Sequence, residues 1–176
     1  YAVSKYNAEN VLIDITNNTD MDFVIIRPPL IYGKDSPGNF YSLLKLCSLP
    51  IPLPFGMLNN KKSFVSIQNF VHLVRRCIDH SEASNQIFLV SDDDDLSTKQ
   101  MVKSVSKVLD FNCWLIPIPI WILRIFFVCL GRKDITISLC EPLIVDINFT
   151  KDTLDWSPPY SFEEGLRLSF KNHKIF

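Results

Sequence analysis

An α/β fold is predicted by three features of this sequence. Two largely apolar runs, Phe23-Val24-Ile25-Ile26 and Gln86-Ile87-Phe88-Leu89-Val90, have the near-continuous hydrophobicity of parallel strands covered on both faces. Segments with apolar residues at spacings of three and four, the mark of amphipathic helices, stand around them. Hydrophobic residues make up 47% of the 176, enough to fill a core.

From Ser4 to about Thr16, Ala8, Val11, Leu12 and Ile15 give helical spacing, and Asn17-Asn18-Thr19-Asp20 supplies the turn that ends it. The strand at 23–26 runs into Arg27-Pro28-Pro29-Leu30-Ile31-Tyr32-Gly33. Prolines donate no ladder hydrogen bond, so the strand is expected to end there. In an open α/β sheet ligands bind at the carboxyl ends of strands, which makes this segment a candidate wall of a site. Residues 34–39 read as a polar loop. Phe40 to Leu49 reads as a helix with Phe40, Leu43, Leu44 and Cys47 on one side. Prolines 50, 52 and 54 extend the next stretch, and Met57 to Lys62 is a hairpin or loop. Ser63–Ile67 is a short strand.

Gln68 to His80 is helical, with Phe70, Val71, Val74, Cys77 and Ile78 as its apolar stripe and His72 off it, at the surface. Asp92 to Asp95 is a run of four acids. It lacks the alternate ligands and glycine of an EF-hand and reads as a solvated loop rather than a metal site. Ser97 is the N-cap of a helix whose core face is Met101, Val102, Val105, Val108 and Leu109. Residues 115–130 are the most apolar part of the chain. Ile120 to Leu130 is eleven residues broken by Arg124, against the roughly 20 a membrane span needs. The expectation is a helix buried against the rest of the fold; a membrane-surface or partner-binding helix is the other reading. Residues 141–147 form a further strand candidate, and a short helical pattern follows within 146–156. Ser161-Phe162-Glu163-Glu164 is a capping box that opens a last amphipathic helix with Leu166, Leu168 and Phe170.

With 18 basic and 19 acidic residues the chain has no basic excess for nucleic acid, and none is expected as a partner. Cys47, Cys77, Cys113, Cys129 and Cys140 show no CxxC spacing and read as free buried thiols in a reducing, cytoplasmic setting. With three histidines beside them, no metal site is expected. The first residues carry no signal-peptide pattern. The absence of an initiator methionine reads as a piece of something longer or a processed product.

Tyr1 and Lys5 stand four apart at the head of the first helix. Residues i and i+4 share one face, about 6 Å apart along the axis. An ammonium there stabilises a phenolate and pulls a tyrosine pKa from roughly 10 towards neutrality. Such a tyrosine can move a hydroxyl proton while another group takes a hydride. Tyrosine and lysine at this spacing also occur by chance on many helices, so the pair alone decides nothing.

The order of parts decides more. Tyr1-Ala2-Val3-Ser4-Lys5 with Ala8-Glu9 is followed by Arg27-Pro28-Pro29-Leu30-Ile31-Tyr32-Gly33 and Asn39-Phe40. Pro54-Phe55-Gly56, Lys62-Ser63-Phe64-Val65, Asn69-Phe70-Val71, Leu154-Asp155-Trp156-Ser157-Pro158 and Glu164-Gly165-Leu166 come after. In that order they resemble the C-terminal half of an extended short-chain dehydrogenase/reductase, and more narrowly the NAD-dependent nucleotide-sugar epimerase/dehydratase family. The resemblance implies the C-terminal part of a Rossmann-like doubly wound sheet with a small substrate-binding lobe. Residues 1–90 would complete the Rossmann-like part, with a substrate-loop insertion at 34–62, and 91–176 would form the substrate lobe and C-terminal helix.

By the same resemblance Tyr1 is the acid/base for the sugar 4-hydroxyl, and Lys5 lowers its pKa and holds the nicotinamide ribose. Pro28, Pro29 and Leu30 pack by the nicotinamide of NAD (or NADP). Asn39 contacts the diphosphate of a UDP-sugar, and Phe55 and Gly56 sit near the uracil. Lys62 stands where many relatives carry arginine, which keeps the charge and loses the bidentate fork. The implied reaction is 4-epimerisation of a UDP-hexose or UDP-N-acetylhexosamine in surface-polysaccharide synthesis. Reduction or dehydration of a 4-keto-6-deoxy sugar, and a non-catalytic partner-binding fragment, are the alternatives. The implied assembly is a homodimer through the YxxxK helix, and membrane contact is not expected. The family's glycine-rich phosphate loop is absent: the glycines are at 33, 38, 56, 131 and 165, no two within four positions. The chain alone is therefore expected to bind NAD poorly and to be inactive.

Overall fold

The computed structural model describes residues 2–34, 36, 39–129, 131 and 141–171, without the side chains of Ala2 and Asn39. Helix α1 (Ala2–Thr16) leads into strand β1 (Val24–Arg27). The chain does not stay a loop after the two prolines. It resumes as β2 (Leu30–Tyr32) and passes to α2 (Asn39–Ser48), β3 (Pro52–Leu53), β4 (Lys61–Lys62) and β5 (Phe64–Ser66). Helix α3 (Ile67–Asp79) and a single 3-10 turn precede β6 (Gln86–Leu89). After that come β7 (Leu96–Ser97), α4 (Thr98–Leu109), β8 (Trp114–Leu115), α5 (Ile120–Cys129), α6 (Asn148–Leu154) and α7 (Phe162–Phe170).

The strands pair two by two. β1 runs parallel to β6 with Ile25 opposite Ile87, and β2 runs parallel to β5 with Ile31 opposite Val65. β3 lies parallel to β8. The 57–62 segment does not fold back on itself: β4 pairs antiparallel with the distant β7. The parallel strands expected at 23–26 and 86–90 are present, but β1 is not covered on both faces. Ile25 is buried, while Val24 and Leu89 are each 37% exposed, and β1 has one described neighbour. The strand expected at 141–147 reduces to one bridge, Leu143 to Lys62.

Two cores hold these elements. One, built on Tyr32, Phe40, Leu44, Phe55, Val102 and Leu166, lies among β2, α2, α4 and α7. The α2 and α4 stripes read from spacing fill it as expected: Phe40, Leu43, Leu44 and Cys47 are buried, as are Met101, Val102 and Val105. The other core gathers Val65, Leu73, Phe88, Val90, Leu154 and Trp156 beneath the β1–β6 pair. The buried face of α3 is rotated from the expected stripe. Asn69, Leu73 and Cys77 face inward, while Val71 and Ile78 are exposed. In α7, Leu166 and Phe170 are buried and Leu168 is exposed. Cys129 is exposed and Cys113 half-buried, so the thiols are not uniformly buried; Cys140 lies outside the described residues.

The larger correction concerns α5. Of its ten residues only Leu123 is buried, and the rest of the helix is half-buried or open to solvent. It is not a buried helix, because its apolar residues run all the way round and one face can meet the core. No helix among the described residues is long and apolar enough to cross a membrane.

Candidate functional site

A fork ties helix α1 to β1. Arg27, the last residue of β1, donates Nε to Glu9 Oε1 at 3.2 Å and Nη2 to Glu9 Oε2. The hydrogen bond from Arg27 holds the Glu9 carboxyl below its ordinary pKa, and the same contact raises that of Arg27. Glu9 and Lys5 are one turn apart on one face. That face is therefore held at the carboxyl end of β1, one residue before Pro28. Lys5 is exposed, Pro28 exposed, Pro29 and Leu30 half-buried. Tyr1 lies outside the described residues; the 1, 5, 9 spacing alone assigns it to the same face.

The remaining predicted residues lie apart from this end. Asn39 begins α2. Phe55 is enclosed in the first core at 3% exposure, so its ring presents no stacking face. The Gly56 N–H donates to the Ile116 carbonyl at 3.0 Å, and a Cβ there would come within 2.8 Å of that oxygen. This close approach of two segments of the backbone is why the turn has glycine. Lys62 sits half-buried in β4. Among the clefts that the described residues form, two stand out by volume. One of about 490 Å³ is lined by Ile31, Gly33, Lys34, Gln68 and Ser169, among others; one of about 580 Å³ lies between α4 and α7. Neither is lined by a predicted site residue.

What the sequence reading missed is a buried polar hub. Asp92, expected in a solvated loop, is 5% exposed. Its Oδ2 accepts from the Tyr32 hydroxyl at 2.6 Å; its Oδ1 accepts from the Ser66 N–H at 2.9 Å and from Asn69 Nδ2 at 2.6 Å. Asn69 also donates to the Tyr160 carbonyl at 2.7 Å and accepts from the Tyr160 N–H at 3.2 Å. The Asp92 N–H donates to the Phe64 carbonyl at 2.8 Å. The hub thus ties β2, β5, the N-terminus of α3 and the approach to α7 at one point.

Burial raises the Asp92 carboxyl above its ordinary pKa, against hydrogen bonding from Tyr32, Ser66 and Asn69 that pulls it down. Burial, then the Asp92 charge, pushes the Tyr32 phenol far up, so it stays a donor. Gly165 completes the fit: a Cβ there would lie 2.5 Å from the Tyr32 hydroxyl oxygen and 2.7 Å from Ser66 Cβ. The other acids of the run diverge. Asp93 pairs with Lys151, and Asp95 accepts from Ser63 Oγ at 2.5 Å. Among the described residues no three His, Cys, Asp or Glu side chains are grouped to hold a metal. The missed signal was an acid two residues after the apolar run that ends at Val90, near a strand's carboxyl end.

No family model matches the sequence. A curated relative from Vibrio cholerae, named UDP-glucose 4-epimerase, is 46% identical over 168 residues, which is 95% of this chain and 51% of the relative. One from Escherichia coli O157:H7 is named N-acetyl-alpha-D-glucosaminyl-diphospho-ditrans,octacis-undecaprenol 4-epimerase. It is 31% identical over 112 residues, 62% of this chain and 34% of the relative. The chain thus spans about half the length, or less, of these relatives. Among solved structures, UDP-glucose 4-epimerase from Thermotoga maritima with UDP-glucose matches 97% of this chain and 52% of its own at 17% identity and a TM-score of 0.70. UDP-N-acetylglucosamine 4-epimerase from Bacillus cereus matches 99% and 54% at 15% identity, with a TM-score of 0.71. At those identities the likeness is one of fold: α/β, in the C-terminal half of Rossmann-like epimerase structures.

Proposed function

We propose, from a chain related by sequence and by fold to the nucleotide-sugar 4-epimerases of the extended short-chain dehydrogenase/reductase family, that it is the C-terminal part of an NAD(P)-dependent 4-epimerase. The substrate is a UDP-hexose or UDP-N-acetylhexosamine destined for surface polysaccharide. The observation that carries this reading is the Arg27–Glu9 fork, which holds the Lys5 face of α1 at the carboxyl end of β1 beside Pro28.

The residues present suit one end of the cofactor. On this reading Lys5 holds the nicotinamide ribose, and Pro28, Pro29 and Leu30 lie by the nicotinamide ring. The pyrophosphate has no cradle here, since no glycine-lined helix N-terminus exists in a chain whose glycines are this scattered. That cradle belongs to another part of the protein. Two structure neighbours, a dTDP-glucose 4,6-dehydratase and a UDP-glucuronic acid 4-epimerase, are described with NAD. When bound, the cofactor supplies the hydride acceptor and donor.

Tyr1, as phenolate, takes the proton of the sugar 4-hydroxyl and returns it after the 4-keto sugar has turned over. Lys5 keeps the phenolate form accessible. Asn39 and Lys62 bind the diphosphate. With the Phe55 ring enclosed, contact with the uracil falls to the backbone of Phe55 and Gly56. The E. coli relative is named for a sugar on a polyprenyl diphosphate, so the carrier of that diphosphate is part of the test.

The whole protein is assayed with UDP-glucose, UDP-N-acetylglucosamine and the polyprenyl-linked sugar. The 4-epimer of a UDP-sugar appearing without net change in NAD(P)H absorbance supports the reading. Stoichiometric NAD(P)H consumption assigns a reductase, a 4-keto product with loss of water a dehydratase, and turnover of the lipid-linked sugar alone a different carrier. Lys5→Met lowers kcat about 10²-fold or more with an unchanged fold, because Lys5 is exposed.

A further inference from the structure

Helix α5 turns most of its side chains to solvent. Trp121 is 64% exposed, Ile125 57% and Phe126 56%, with Ile122 and Val128 beside them. Trp114, on the strand that leads into the helix, is 69% exposed. Leu123 alone is buried, so the helix is moored along one line and open on the rest. Among the described residues nothing lies over this face. Ten helical residues span about 15 Å, which fits a helix lying on a surface and is too short to cross a bilayer. The charge pattern is one-sided. Between Asp110 and Asp134 there is no acid, while Arg124, Arg132 and Lys133 carry three positive charges. Arg124 is itself exposed, one turn from Trp121 and from Val128.

An interface with a second protein would be served by this apolar area, but would not call for cations without an acid. Aromatic and branched apolar side chains on the open face, tryptophans among them, in an acid-free stretch with an exposed arginine on the helix, suit a helix that lies in the headgroup layer of an anionic membrane. We propose that α5 with Trp114 is a membrane-surface contact whose partner is an anionic phospholipid bilayer. The aromatic and branched side chains enter the acyl boundary while Arg124 remains among the phosphates. The contact is reversible, since one short helix gives modest affinity. It does not rest on the epimerase reading, because it requires neither sugar nor cofactor.

The test is flotation of the whole protein with vesicles of phosphatidylglycerol and phosphatidylethanolamine, and with phosphatidylcholine alone. Binding to the anionic vesicles, a blue shift of tryptophan emission, and weakening by raised salt are expected. Trp121→Ser and Phe126→Ser should each weaken binding about tenfold. Arg124→Glu should weaken binding to the anionic vesicles and leave the residual phosphatidylcholine binding unchanged. Far-UV circular dichroism and the melting temperature of each variant should match the parent, since these side chains are exposed. No flotation of the folded parent, or equal binding to both vesicle types with no effect of Arg124→Glu, overturns the proposal. So does a shift from dimer to monomer in Trp121→Ser without vesicle binding in the parent, which would make the face an interface between copies.

Discussion

Asp92 accepts from three donors, two of which have a second acceptor: the Tyr32 hydroxyl reaches the Phe162 carbonyl at 3.1 Å and Asn69 Nδ2 the Tyr160 carbonyl at 2.7 Å. Tyr32, Ser66 and Asn69 all turn towards it from different elements. A buried donor left without a partner costs about 1–3 kcal/mol. Tyr32→Phe takes the donor from Asp92 Oδ2 and should destabilise the protein by about 1–3 kcal/mol, and Asp92→Ala by about 3–5 kcal/mol because the Ser66 N–H loses its acceptor and Tyr32 and Asn69 keep only a carbonyl each. Chemical denaturation of the two variants checks both values and their order. Gly165→Ala sets two effects against each other. Alanine gains about 1 kcal/mol of helix propensity, but its Cβ would stand 2.5 Å from the Tyr32 hydroxyl oxygen. That hydroxyl is held by Asp92 and cannot swing aside, so the clash wins. A net loss of about 1–3 kcal/mol is expected, with the Tyr32–Asp92 hydrogen bond lengthened in a structure of the variant.

Helix α1 depends on a pH-sensitive contact. Glu9 has its pKa depressed in the folded chain, so the stability it contributes is present above its unfolded value and is lost as pH falls through the folded one. Hydrogen exchange of α1 should accelerate as the solution is taken from neutral to strongly acidic pH, before the amides of α3 and α4 exchange faster. Raised salt should act in the same direction. Asp92 has the opposite sign: its pKa is raised, so acidification relieves a cost and the hub does not share the loss.

Elements also differ in how far the sequence announced them. The starts of α4 and α7 were legible because caps are local. Ser97 with Gln100 and Ser161 with Glu164 each form a complete capping box within four residues. The burial of Asp92 was not legible, since its partners come from 60, 26 and 23 residues away and a run of four acids has no local sign of burial. The exposure of α5 was not legible either. Apolar content says a helix wants cover; it does not say whether the chain provides it.

At the scale of the molecule, the described sheets are pairs, and β1 has no described neighbour on its second edge. The stripe of α1, Val11 and Ile15 included, is likewise open. On the proposed reading, the cofactor-binding half of the protein lies against these two surfaces and supplies the pyrophosphate cradle. The chain of 176 residues by itself should then show no saturable NAD binding by calorimetry and no turnover. Either activity from the isolated chain would contradict the reading. The parallel pairing of β1 with β6 was legible from two apolar runs, whereas the missing cover is a property of what stands opposite and leaves no mark in the runs themselves.

The Arg27–Glu9 fork has a further consequence for the protein's durability. Residues 17–22 between α1 and β1 are exposed throughout, and the fork is a tie across them. A protease that reaches this turn can sever Lys5 and its helix while both cores stay closed. On the proposed reading the chain would then lose its share of the chemistry long before it lost its shape, and a preparation judged sound by its melting curve could already be a trimmed one.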